Sequence, residues 1–179
     1  MHVTETSFIL MTTIILDKTN KTLYADCKET YETSIHIPTI KIVPLRLKNN
    51  KRIGFIAMSG DSHQCEVYLR YLSTIENLHE VKDLSERRPK WKKIGGIIAL
   101  KDGLTYTIAH DGTIIPFHGK YMTDGAGQEA AMVCLQAGIP IEMIFYYISK
   151  VTSHTSEEFH FVKYTEPNAE IQYNKTETR

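Results

Sequence analysis

The sequence predicts an α+β protein with mostly antiparallel sheets and helices packed outside them. Short apolar runs are joined by polar turns, an Asp-Gly-punctuated meander lies mid-chain, and helical apolar stripes occur before and after it.

The elements follow in order. Thr13 to Leu16 is rich in β-branched residues, residues 17–21 supply turn chemistry and Thr22 to Ala25 is apolar again, which predicts a hairpin. Antiparallel pairing would return Asp26, Cys27 and Lys28 to the place where the first strand began. Glu29 to Pro38 reads as irregular. Thr39 to Leu47 and Arg52 to Met58, separated by a polar turn at 48–51, predict a second hairpin with Lys41 near its start. Asp61 followed by Gln64 resembles a capping box, and Cys65, Leu69, Leu72, Ile75 and Leu78 form one stripe, predicting a helix through Leu78. Residues 80–93 are polar; Arg87 to Lys93 is basic around Trp91 and reads as a solvated connection into the next strand.

Ile94 to Leu100, Leu104 to Ala109 and Thr113 to Phe117 are split by Asp102-Gly103 and Asp111-Gly112, which predicts a three-stranded meander. A helix from Ala126 to Gln136 stops before Gly138, a suitable C′ residue, and Pro140 suits the first turn of the next helix, whose apolar face is Ile141, Ile144, Phe145 and Ile148. Strand character returns at Phe159 to Tyr164 and weakly at Ile171 to Tyr173.

A chain of 179 residues suits one domain with a substantial core. Its 21 basic and 21 acidic residues balance, so nothing in the overall field selects nucleic acid or a membrane as partner. Cys27, Cys65 and Cys134 are odd in number and widely spaced, which argues against a disulfide framework or a zinc site and for a reducing compartment. No apolar run approaches the roughly 20 residues that span a bilayer. Phe8 to Leu16 has no basic region before it, so a cytoplasmic protein is expected. His36, His63, His110, His118, His154 and His160 never pair at i, i+4, and no metal or cofactor is expected.

Met11-Thr12-Thr13 is the stretch with chemical promise. A threonine hydroxyl is a weak nucleophile and needs a base; an N-terminal α-amine, with an ordinary pKa of about 7.7–8.0, is partly neutral and can take the proton. A nearby ammonium would lower the pKa of both groups, and a carboxylate would hold that ammonium in place. Cys27 is the rival nucleophile, with no histidine tied to it by sequence.

Thr12-Thr13-Ile14, Tyr24-Ala25-Asp26-Cys27-Lys28, Lys41-Ile42, Ser59-Gly60-Asp61, and Asp124-Gly125-Ala126-Gly127 followed by Glu129-Ala130-Ala131 occur in the order and rough spacing of proteasome β-type subunits. From Met11 to about Phe161 the chain resembles the N-terminal-nucleophile (Ntn) hydrolases of the proteasome and its bacterial two-component relatives, most of all the short members of bacteria and phages. The resemblance implies a four-layer αββα sandwich: two antiparallel sheets face to face, flanked by helices. It divides the chain into an extension or propeptide over 1–11, one domain over 12–173 and a tail over 174–179.

By the same resemblance Thr12 is the nucleophile, Asp26 and Lys41 its charged partners, and Gly60 the glycine whose N–H faces the substrate carbonyl. Lys28, Gly125, Gly127, Thr152 and Thr155 stand at supporting positions. Thr152 occupies a place where the family carries an aspartate, and Ala126 one where it often carries serine. The implied activity is a threonine-type endopeptidase acting on peptides or unfolded proteins, in a homo-oligomeric ring fed by an ATP-dependent unfoldase. A catalytically degenerate protein of the same fold, with a structural or interaction role, is the alternative.

Overall fold

Thirteen strands and four helices make up a computed structural model that describes residues 9–10, 12–30, 36–38, 41–83 and 93–174. The strands before the first helix are β1 (Ile9–Leu10), β2 (Thr13–Asp17), β3 (Thr22–Asp26), β4 (Lys28–Thr30), β5 (His36–Pro38), β6 (Ile42–Arg46) and β7 (Arg52–Asp61). Helices α1 (Ser62–Leu72) and α2 (Glu80–Asp83) lead to β8 (Ile94–Leu100), β9 (Thr105–Ile108), β10 (Ile114–Pro116) and β11 (Tyr121–Gly125). The chain ends through α3 (Gln128–Gln136), α4 (Ile141–Val151), β12 (Phe159–Lys163) and β13 (Gln172–Asn174).

Among the described residues there are two large antiparallel sheets and the two-stranded pair β4–β5. One has the order β1-β7-β8-β9-β10, with β6 also paired to β7; the other has the order β11-β2-β3-β12-β13. The β2–β3 hairpin closes because Asp17 Oδ1 accepts from the N–H groups of Thr19 at 2.9 Å and Asn20 at 3.1 Å, an Asx-type turn.

Three apolar clusters show how these pieces stack. Alternation along β2 sends Ile14 and Leu16 to one side, where they meet Ile42, Phe55, Ala57, Ile97 and Ala99 of the other sheet. Ile15 points the opposite way, onto Ala131 and Leu135 of α3 and Ile144, Phe145 and Ile148 of α4. The far face of the first sheet carries Ile56, Met58 and Ile98 against Cys65, Tyr68 and Leu72 of α1. Burying each large apolar side chain contributes about 1.5–3 kcal/mol. The stacking is compatible with a four-layer sandwich.

Both predicted hairpins, the meander and three helices are present, with five differences. The polar stretch 80–93 begins with the short helix α2. Glu29 to Pro38, read as irregular, contains the paired strands β4 and β5, which lack the apolar alternation of the others. The stripe through Leu78 overruns α1, which stops at Leu72 because the Ser73 and Thr74 hydroxyls take the carbonyls of Arg70 and Tyr71. Ile75 and Leu78 still join the α1 cluster from the turn that follows. Strand β11 was not foreseen, and α3 begins at Gln128 instead of Ala126 because β11 runs through Gly125. The basic stretch from Arg87, up to and including Lys92, lies outside the described residues, as does the tail beyond Asn174. Among the described residues no helix is long and apolar enough to cross a membrane.

Candidate functional site

Thr12 precedes β2 and is fully buried. Its carbonyl accepts from the Ala126 N–H at 2.8 Å, beside the β2–β11 pairing of Thr13 with Gly125. Gly125 has φ +87°, and a Cβ there would overlap that same carbonyl. The glycine is therefore required by the approach of Thr12 to the turn before α3. Gly127 plays the corresponding part for Thr13, whose hydroxyl occupies the space its Cβ would need.

The next peptide unit is fastened from the other side. Thr13 N–H donates to Asp26 Oδ1 at 2.8 Å, and the hydroxyls of Thr13 and Thr155 are 2.6 Å apart. Asp26, at the end of β3, is unexposed and also receives N–H bonds from Lys28 and Ser156, each at 3.2 Å to Oδ2. Lys41 Nζ reaches Asp26 Oδ1 at 3.3 Å and donates to the Lys28 carbonyl, so both ends of the ion pair are held by β3 and the start of β4. Burial pushes the Asp26 carboxyl up, while the Lys41 ammonium and the three N–H donors pull against that shift.

The hairpin thus does what the turn chemistry implied: it returns Asp26 to the strand start, where it ties Lys41 to the backbone of Thr12-Thr13. The Thr12 hydroxyl itself is buried and has no hydrogen-bond partner among the described residues. Such an orphan costs about 1–3 kcal/mol and calls for an explanation.

Gly60 lies near the end of β7 with φ +109°, and a Cβ would overlap the Lys93 carbonyl. The reason for glycine here is thus the close passage of residue 93 and the backbone conformation, in addition to any approach by a substrate. In the register of β1 with β7, Leu10 stands opposite Gly60 and Ile9 opposite Asp61, so Ile9–Leu10 lies along the edge that Gly60 offers. Thr152 caps α4, with its N–H on the Ile148 carbonyl at 2.8 Å; its hydroxyl is buried without a hydrogen-bond partner among the described residues. Thr155, three residues on, is the one that joins the cluster.

Cys27 is buried and its thiol is pushed up to about 12, first by burial and then by the Asp26 and Glu158 carboxylates, which is the opposite of what a nucleophilic thiolate needs. Among the described residues no group of three or more His, Cys, Asp or Glu is arranged to hold a metal.

Sequence reasoning did not anticipate Ser156, whose contribution is a backbone N–H, or the pair Ser59–Asp124, in which the Ser59 hydroxyl donates to Asp124 Oδ2 at 2.5 Å. The β-prone trio Tyr121-Met122-Thr123 is the signal that could have located β11 and with it Asp124. No family profile and no curated protein matches this sequence.

Proposed function

We propose that this chain is the precursor of a threonine-type peptidase of the proteasome class, with the Ntn-hydrolase fold. Thr12 becomes the nucleophile, and its α-amine the general base, once the residues before it are removed. The observation that carries the reading is the buried pair Lys41–Asp26, held at 3.3 Å beneath a backbone whose Thr13 N–H shares the same carboxylate oxygen. An ammonium kept there lowers the proton affinity of a neighbouring hydroxyl and amine, and the carboxylate keeps the ammonium charged.

The buried, partnerless Thr12 hydroxyl supports a precursor state: a fully buried hydroxyl is out of a substrate's reach. Pairing of Ile9–Leu10 with Asp61–Gly60 supports the same edge as the place where a peptide strand lies. Val133, Tyr147 and Val151 are exposed on α3 and α4 and supply apolar surface for the ring of identical subunits that the reading includes. An ATP-dependent unfoldase as feeder, and peptides or unfolded proteins as substrates, belong to the same proposal.

Intact-mass spectrometry of the functional assembly, coupled to hydrolysis of short fluorogenic peptides, tests it. A chain starting at Thr12 is expected to cleave, and Thr12→Ala to lower kcat by ~10³-fold or more. An active assembly that still carries residues 1–11 would sink the reading.

One observation favours a second reading, a catalytically degenerate protein of this fold with a structural or interaction role. Thr152 stands where the family has an aspartate, and its hydroxyl engages no partner among the described residues. Absence of hydrolysis from the chain starting at Thr12, in an otherwise well-folded ring, would select it.

A further inference from the structure

A cavity of about 640 Å³ opens beside the candidate site, lined by Ser59, Gly60, Gly95, His110, Asp124 and Gly125 among others. Its size is that of a small-molecule or side-chain pocket. The inner wall carries a carboxylate. Asp124 Oδ2 accepts the Ser59 hydroxyl at 2.5 Å, which leaves acceptor capacity on both oxygens.

Gly95 lies directly against this group on the cavity wall. A Cβ at that position would lie 3.0 and 3.2 Å from the two Asp124 oxygens and 2.9 Å from Ser59 Oγ, so any side chain there would cover the carboxylate. Glycine keeps it open. Among the described residues, no lysine or arginine is seen in an ion pair with Asp124. Among the described residues Lys93 is the lysine on the wall and is exposed; His110, its Nδ1 3.1 Å from the Ile94 carbonyl, is the basic side chain that acts on Asp124 electrostatically. A half-buried carboxylate with spare acceptor sites in a roomy cavity is a receptor for a hydrogen-bonding cation.

We infer that this cavity receives the cationic side chain, guanidinium or ammonium, of a bound peptide, with Asp124 as its counter-ion and Gly95 as the residue that keeps the carboxylate accessible. The substrate part of this inference rests on the peptidase reading: Gly125 lines the cavity, and a Cβ there would overlap the Thr12 carbonyl and lie 3.5 Å from Ser59 Cβ, so the cavity and the Thr12 backbone meet at Gly125. A peptide strand along the Gly60 edge would carry its side chains past this opening. The result would be a preference for basic residues near the cleaved bond.

The test is binding, which is independent of catalysis. Acetyl-arginine-amide and its neutral isostere acetyl-citrulline-amide are titrated into the full chain by NMR. The arginine compound is expected to bind at least ten-fold more tightly and to shift the Gly95, Gly125 and Ala126 amides. Asp124→Asn should bring the two ligands within two-fold of each other, and Gly95→Ala, which keeps the charge but covers it, should also reduce the ratio. Equal affinity of the two ligands for the unmodified chain, or shifts confined to other residues, overturns the inference even if neither variant folds. Cation binding without any peptide hydrolysis by the chain starting at Thr12 would remove the peptidase reading and leave the cation site standing; hydrolysis that ignores basic side chains, with no selective arginine binding, would do the reverse.

Discussion

Lys41 Nζ and Asp26 Oδ1 are 3.3 Å apart with neither side chain exposed, although fifteen positions separate them in the chain. The pair joins the start of β6 to the end of β3 and holds the backbone of Thr13 through the same oxygen. A buried ion pair of this kind is expensive to break from one side, because the partner left behind keeps its charge in a place that water does not reach.

Asp26→Asn and Lys41→Met should therefore each destabilise the fold by about 3–5 kcal/mol, and the double variant by less than their sum. Urea unfolding of the four chains measures the coupling. Additive effects would mean that the two side chains do not act as a pair.

Gly125 and Gly138 both have positive φ, at +87° and +75°, but only Gly125 is crowded; nothing lies within 4 Å of a Cβ at Gly138. Gly138→Ala should cost about 1 kcal/mol, the backbone term alone. Gly125→Ala adds an overlap with the Thr12 carbonyl and should cost several times as much or prevent folding. Comparable unfolding midpoints for the two variants would contradict this account of the turn before α3.

Cys27 and Cys65 are buried, and burial pushes both thiols up to about 12, whereas Cys134 on α3 is partly exposed. In native buffer near pH 8, a thiol-reactive disulfide reagent should label Cys134 first, and the other two only on denaturation. Peptide mapping of the fast-reacting residue checks it. Fast reaction at Cys27 would reopen the case for a cysteine nucleophile.

Burial raises the Asp124 carboxyl above the ordinary carboxylate range, against the opposing Ser59 hydrogen bond. Between the unfolded value and this raised folded value the native state holds more protons than the unfolded state, so stability falls as pH rises through that window. Asp124→Asn removes the dependence. The variant should gain stability relative to the unmodified protein on going from acid to neutral pH, read as the difference in thermal midpoints across a pH series. A constant difference would place the carboxyl in an ordinary, solvated setting.

Where near neighbours decide the conformation, the sequence alone specified it. The β2–β3 turn depends on Asp17 and the residues just after it, the α1 start on Asp61 accepting from Gln64 N–H at 2.9 Å, and the meander on Gly103 and Gly112 with φ +90° and +80°. The same locality makes Asp26 and Thr12 legible as neighbours, since a hairpin register follows from its turn. Contacts across long stretches of chain were decided only by the tertiary structure. The hydroxyls of Thr13 and Thr155 meet across 142 positions, and Ser59 bonds to Asp124 across 65. Gly60 and Gly125 are glycines because of the Lys93 and Thr12 carbonyls that pass them. No turn residue or apolar period encodes such meetings; they arise when two sheets close on a shared core and bring the ends of β2, β7 and β11 together, with α3 and the loop after α4 packed behind.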